Sequence, residues 1–201
     1  MKKVVFILFI FSIIYSCSKT ESTPAVTKVS ADDSMRLGLL KIGYQYQGGI
    51  IAYFLQTGDP GYDANKKHGL IVATSDQSAG IRWFNGVYIV TEANGTEIGT
   101  GLTNTEKIIA KQGNVSTSYA AGLARAYTGG GYKDWFLPSK DELNKLYQNR
   151  VAVGGFANSI YWCSTDYNGL SSIALNQSFY DGVQGTPLKN ATLYVRAIRT
   201  F

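Results

Sequence analysis

From Asp134 to Leu143 the chain reads Asp-Trp-Phe-Leu-Pro-Ser-Lys-Asp-Glu-Leu, an apolar, strand-like stretch that halts at a proline and restarts as a helix. Ser139 and Glu142 have the spacing of a capping box, in which the hydroxyl takes a free N–H of the first turn and the carboxylate reaches back to the cap. Pro138 lies just outside, where it cannot break the helix. Leu143, Leu146 and Tyr147 then fall at i, i+3 and i+4 and give the helix one apolar face, with Gly154-Gly155 as its expected end. Trp135 and Leu143 are therefore expected in the core. Asp141 and Glu142 are adjacent carboxylates, but neighbours in a first turn point apart and both complement the positive helix end, so they are not read as an acid/base pair.

The rest of the chain must wrap around that junction. With 201 residues, 45% of them hydrophobic and 13% aromatic, there is enough apolar surface for one core. Glycine at 22 positions against 4 prolines points to many tight turns between short strands. Runs at 50–55 and 69–74 predict two paired strands around a turn-rich insert, Thr57 to His68. Runs at 81–84 and 87–90 flank Asn85-Gly86 and predict a hairpin. Thr103 and Glu106 repeat the capping-box spacing and predict a helix ending at Gly113. Tyr119, Leu123, Ala126 and Tyr127 predict another helix, ended by Gly129-Gly130-Gly131. Strands are expected again over 160–165, 172–180 and 191–201. The fold class is thus α+β, a single domain of short antiparallel strands with two to three helices.

The N-terminus has a different character. Met1-Lys2-Lys3 followed by the apolar run Val4 to Tyr15 reads as a secretory signal over residues 1–16. Twelve residues at ~1.5 Å each cover about 18 Å, short of the ~30 Å hydrocarbon core. Ile14-Tyr15-Ser16-Cys17 resembles a bacterial lipobox, which implies that Cys17 is lipidated and becomes the new N-terminus. The alternative is that Cys17 pairs with Cys163, the second of two cysteines. Residues 17–40, rich in Ser, Thr, Lys and Asp, read as a flexible tether, and 41–201 as the domain. The expected location is the bacterial cell envelope, lipid-anchored at the outer membrane and surface-exposed. Net charge is +5, and removing Lys2 and Lys3 leaves +3, with no basic run, so nucleic acid is not an expected partner.

Five pieces of the domain carry a family resemblance: Gln47-Gly48-Gly49, His68-Gly69-Leu70, Gly131 to Ser139, Tyr161-Trp162-Cys163-Ser164-Thr165 and Val195-Arg196-Ala197-Ile198-Arg199. In this order they resemble the C-terminal domain of bacterial collagen-like adhesins. The resemblance implies a C-type-lectin-like fold on surface proteins, with glycan or glycosaminoglycan binding attributed to some members. Cys163 stands where the family usually has serine, no collagen-like repeat precedes the domain, and the Glu-Pro-Asn and Trp-Asn-Asp calcium motifs of animal lectins are missing. Calcium-dependent sugar binding is therefore not implied.

The chemistry-bearing residues support a binding protein rather than an enzyme. Formylglycine-generating enzymes share the broad fold but need two cysteines for copper, and this domain has one. His68 is the sole histidine, read as structural. Asp59, Asp63 and Asn65 are read as turn formers rather than calcium ligands, since the EF-hand pattern is absent. No catalytic residue, metal site or cofactor is expected. The candidate ligand contacts are Asp166, Tyr167 and Asn168, with Tyr180 and Asp181 joining them if the two loops leave the sheet at the same end: tyrosine can stack on a sugar face, and Asp and Asn can bond hydroxyls. The expected function is a lipid-anchored surface protein recognising a glycan or a surface or matrix protein. The alternatives are a structural subunit of a surface complex or an enzyme on a formylglycine-generating-enzyme-like scaffold.

Overall fold

The computed structural model of the protein describes residues 38–113 and 117–201. The signal segment, Cys17 and most of the tether lie outside the described residues. Among those described, no helix is long and apolar enough to cross a membrane.

The described chain is mixed α+β, with four α-helices and two sheets. The first sheet has the order β1 (Gln45–Tyr46), β2 (Gly49–Phe54), β3 (Gly69–Val72) and β9 (Ile198–Thr200), all antiparallel. The second has the order β4 (Ser78–Ile81), β8 (Leu193–Val195), β5 (Ile160–Asp166), β6 (Ala174–Ser178) and β7 (Gln184–Gly185). Its β5–β8 pair is parallel, which departs from the purely antiparallel expectation. The helices are α1 (Gly101–Gln112), α2 (Ala120–Ala126), α3 (Lys140–Gln148) and α4 (Arg150–Val153).

The Trp135 stretch occupies the middle of this arrangement. Phe136 exchanges both backbone hydrogen bonds with Ile198, at 2.8 and 2.9 Å, which ties the stretch to β9. Alternation then splits its side chains: Trp135 and Leu137 enter one apolar cluster with Ile51, Ile71, Trp83 and Trp162, while Phe136 enters another with Leu143, Leu146 and Val72. Trp135 and Leu143 are core residues, 0% and 1% exposed. All three tryptophans are fully buried, and each indole N–H is satisfied by a backbone carbonyl: Trp83 by Cys163, Trp135 by Gly129 and Trp162 by Ile81. Each therefore fastens its own segment to another while burying a large apolar surface.

The Ser139 capping box forms as its spacing predicts, with the hydroxyl accepting from Glu142 N–H and Glu142 Oε2 accepting from Ser139 N–H at 2.7 Å. Its carboxylate also reaches beyond its own helix. Oε1 accepts from Gly99 N–H at 2.9 Å, and Gly101 N–H adds a further bond, so one buried carboxylate closes the free donors at the starts of both α3 and α1. A side chain on Gly101 would collide with that carboxylate. Burial pushes Glu142 up from its ordinary 4.5 to about 7, against the opposing pull of these N–H groups.

Four expectations are corrected. Thr103 and Glu106 do not make a second capping box, because the cap of α1 is Thr100, three residues earlier, and Thr100 makes no side-chain cap bond; Glu142 does that work from another helix. Asn85-Gly86 makes a turn but no hairpin: Asn85 docks on the C-terminal end of α1, bonding Gln112 through its backbone N–H and its side-chain amide. The run 191–201 is two strands in different sheets, broken where Arg196 turns inward and Ala197 N–H bonds the Gln77 side chain. The helix after Ser139 stops at Gln148, and Asn149, whose amide bonds Ala52 O, separates it from the short α4 before Gly154.

Candidate functional site

The five proposed ligand contacts do not form one site. Strands β5 and β6 make a hairpin in which Asp166 pairs with Ala174 and Ile160 pairs with Ser178. The Asp166–Asn168 loop therefore leaves one end of the hairpin, and Tyr180 and Asp181 leave the other. Six residues of β5 separate the two ends, about 20 Å at ~3.3 Å per residue.

At the first end Asp166 is not a ligand contact but an internal tie. It is buried and pairs with Lys189 at 2.8 Å, with both side chains fully enclosed. Its second oxygen accepts from Thr91 N–H and Thr91 Oγ1–H, at 2.9 and 2.6 Å, and its first also accepts from Tyr167 N–H. Lys189 donates onward to Ile89 O and lies over the Trp83 ring at 4.5 Å. Burial pulls the Lys189 ammonium below the usual lysine range, opposed by the Asp166 carboxylate. This network locks segments 89–91, 166–167 and 189 together. Exposed Tyr167 and Asn168, together with Tyr88 and Leu188, are carried by those locked segments.

At the other end the surface is concave. A depression of about 330 Å³ is lined by Arg150, Val151, Gly155, Phe156, Asn158 and Phe179, among others. Its floor is aromatic: Phe156 and Phe179 have ring centroids 4.7 Å apart, and Tyr161 lies 4.6 Å from Phe179. The Tyr161 hydroxyl accepts from Ala157 N–H at 2.7 Å and donates to Asp76 at 2.9 Å, which fixes the rim loop 154–158 over that floor. Arg150 lies over the Tyr147 ring at 3.9 Å and donates to Tyr147 O, so its guanidinium is held in place. Tyr180 follows Phe179 directly and is 73% exposed. Asp181 is exposed, and hydrogen bonds from the Ser178 hydroxyl and Val183 N–H hold its carboxyl below the usual carboxylate range.

Sequence reasoning missed this depression and found only its neighbours Tyr180 and Asp181. Arg150 and Phe156 could have been flagged by Gly154-Gly155 between them, a pair with φ of 73° and 69° that turns the chain back on itself.

Elsewhere, Cys163 is buried and burial pushes its thiol up to about 12, which removes it as a thiolate nucleophile. His68 accepts from Asp63 N–H through Nε2, and Asp63 and Asp59 accept from Asn65 and Gln56 N–H, as turn residues do. Among the described residues no group of three or more His, Cys, Asp or Glu could hold a metal ion. No family model matches the chain, and no curated protein matches it.

Proposed function

We propose that this protein is a lipid-anchored bacterial surface binding module, adhesin-like, with a C-type-lectin-like fold, and that its ligand sits in the depression beside α4. The observation that carries the reading is the combination found there: a solvent-facing hollow lined by Phe156 and Phe179, a held guanidinium from Arg150 and the Asn158 amide, with the exposed Tyr180 next in the chain to Phe179. Ligand sites typically join an apolar surface to a few oriented polar groups, and an exposed tyrosine can stack on the apolar face of a pyranose. A glycan, or a glycan-bearing surface or matrix protein, has both complements. The resemblance to the C-terminal domain of collagen-like adhesins favours the same class. The lipobox-like Ile14 to Cys17 supports anchoring at the envelope, because two or more acyl chains make attachment stable.

A second reading, a structural subunit of a surface complex, draws on the opposite end of the hairpin. Val87, Tyr88, Leu170 and Leu188 are exposed there on or beside the segments that Asp166 and Lys189 tie together.

The test is a screen of the full chain against glycans and extracellular-matrix proteins, repeated with two double variants. The first reading expects the Tyr180→Ala, Asn158→Ala pair to lose at least tenfold in affinity for any ligand found, while Tyr167→Ala, Asn168→Ala keeps it. The reverse pattern would move the site to the other end.

A further inference from the structure

Beneath the depression lies a guanidinium whose bonds are incomplete. Arg196 is 1% exposed and fastens two other segments, 73–76 and the turn at Gly155: Nε donates to Ala73 O at 2.7 Å, Nη1 to Gly155 O at 2.6 Å, and Nη1 also pairs with Asp76 at 3.1 Å. Its remaining nitrogen, Nη2, is buried and has no acceptor among the described residues. A buried donor without a partner is costly, and most are satisfied in folded proteins. The guanidinium lies directly behind two residues of the lining: a side chain built on Gly155 would begin 3.3 Å from Nη2, and the Phe156 ring is 4.6 Å from the guanidinium carbon. Gly155 and Phe156 both line the hollow, and Gly155 is itself exposed, so Arg196 stands behind the lining at that point.

The lining of the hollow holds one guanidinium, Arg150, and no carboxylate; of the carboxylates outside the lining, Asp76 pairs with Arg196 and Asp181 is held by the Ser178 hydroxyl and Val183 N–H. Arg196 has one carboxylate partner, Asp76, and Arg150 makes no ion pair among the described residues. One guanidinium therefore stands unpaired in the lining among the described residues, with a second behind it that has spare donor capacity. Fixed charges of one sign beside low-dielectric walls focus their field into a cleft, so an anionic group entering from solvent is drawn in even before it touches either arginine. A planar carboxylate matches the forked donors of a guanidinium.

From this arrangement we infer that the depression contains a carboxylate subsite, with Arg150 as the rim contact, Arg196 acting from behind the lining at Gly155, and the ring-shaped body of the ligand lying on the Phe156–Phe179 floor. The inference rests on the binding function proposed above and narrows its ligand to one carrying a carboxylate.

The experiment titrates the full chain, with arginine side chains labelled with nitrogen-15, using three probes: D-glucuronate, neutral methyl α-D-glucoside, and benzoate, a ring carboxylate without hydroxyls. The inference expects glucuronate to bind at least tenfold more tightly than the glucoside, to shift the guanidinium signals of both Arg150 and Arg196, and to lose at least tenfold in Arg150→Gln. Benzoate binding more weakly than glucuronate assigns the carboxylate to a sugar acid; benzoate binding as well or better assigns it to an aromatic acid. Equal binding of glucuronate and glucoside, unmoved Arg196 signals, or undiminished glucuronate binding in Arg150→Gln overturns the subsite. Binding of the neutral glucoside at the depression without carboxylate preference would overturn the subsite alone and leave the binding function standing. Failure of that broader reading shows separately, as an undiminished screen hit in the Tyr180→Ala, Asn158→Ala variant.

Discussion

Replacing Glu142 with glutamine should change how stability depends on pH more than it changes stability itself. The carboxyl is fully enclosed, has no cationic partner among the described residues, and is pushed from 4.5 to about 7 because burial outweighs the N–H groups of Ser139, Gly99 and Gly101. A carboxyl raised in the fold binds its proton more tightly folded than unfolded. Its contribution is therefore complete below about pH 4.5 and is lost as pH rises through about 7, a loss of about 3 kcal/mol for a shift of this size. Glutamine keeps one carbonyl acceptor, has no proton to lose, and turns an amide N–H₂ toward backbone donors, which should cost about 1 to 3 kcal/mol at every pH. The assay is urea unfolding of parent and Glu142→Gln at pH 5, 6, 7 and 8, read as the difference between them so that titrations common to both cancel. The variant should be the less stable protein at pH 5, and the gap should close by about 3 kcal/mol at pH 8, where the order can reverse. A gap that stays constant or widens with pH would refute the claim that burial dominates the N–H cradle at this carboxyl.

Three further outcomes follow from the same packing. Trp135→Ala should cost about 3 to 5 kcal/mol, since it removes a fully buried indole and its bond to Gly129 O, and a thermal melt unchanged within error would contradict its central place. Lys189→Met should cost about 3 to 5 kcal/mol by leaving Asp166 enclosed without its cation, and Lys189→Met with Asp166→Asn should cost less than the single change; a cycle of urea unfolding curves decides it. Cys163 should resist alkylation in the folded protein and react at the ordinary rate in urea, as followed by mass spectrometry; prompt labelling of the folded chain would show that the thiol is reachable.

What the sequence revealed was local. Ser139 and Glu142 sit three residues apart, so their cap could be read from spacing, and the alternation of Trp135, Phe136 and Leu137 followed from strand geometry. The same spacing at Thr103 and Glu106 misled, because the motif marks a donor and acceptor within reach but not the residue at which the helix starts. That start is set by Glu142, 41 residues beyond Gly101, and no local pattern contains it. Asp166 read as a loop residue because Asp-Tyr-Asn-Gly has turn composition; its partners, Thr91 and Lys189, come from two other segments. Arg196 lies in the stretch 191–201, expected as one strand, and nothing local marks that its donors pin the 73–76 segment and Gly155 beside the hollow. The depression is assembled from α4, the turn after it and the end of β6, which only the tertiary fold brings together.

The central claim is that ligand binds at the α4 end of the β5–β6 hairpin. It is tested most directly by mapping backbone amide shifts in the full chain as the tightest ligand from the screen is titrated in. The account predicts that the largest shifts fall on Gly154 to Asn158 and on Phe179 to Asp181, with Tyr167 to Leu170 unmoved. Shifts confined to Tyr167–Leu170 and to Val87–Ile89 would place the ligand about 20 Å away, at the other end of the hairpin, and contradict it.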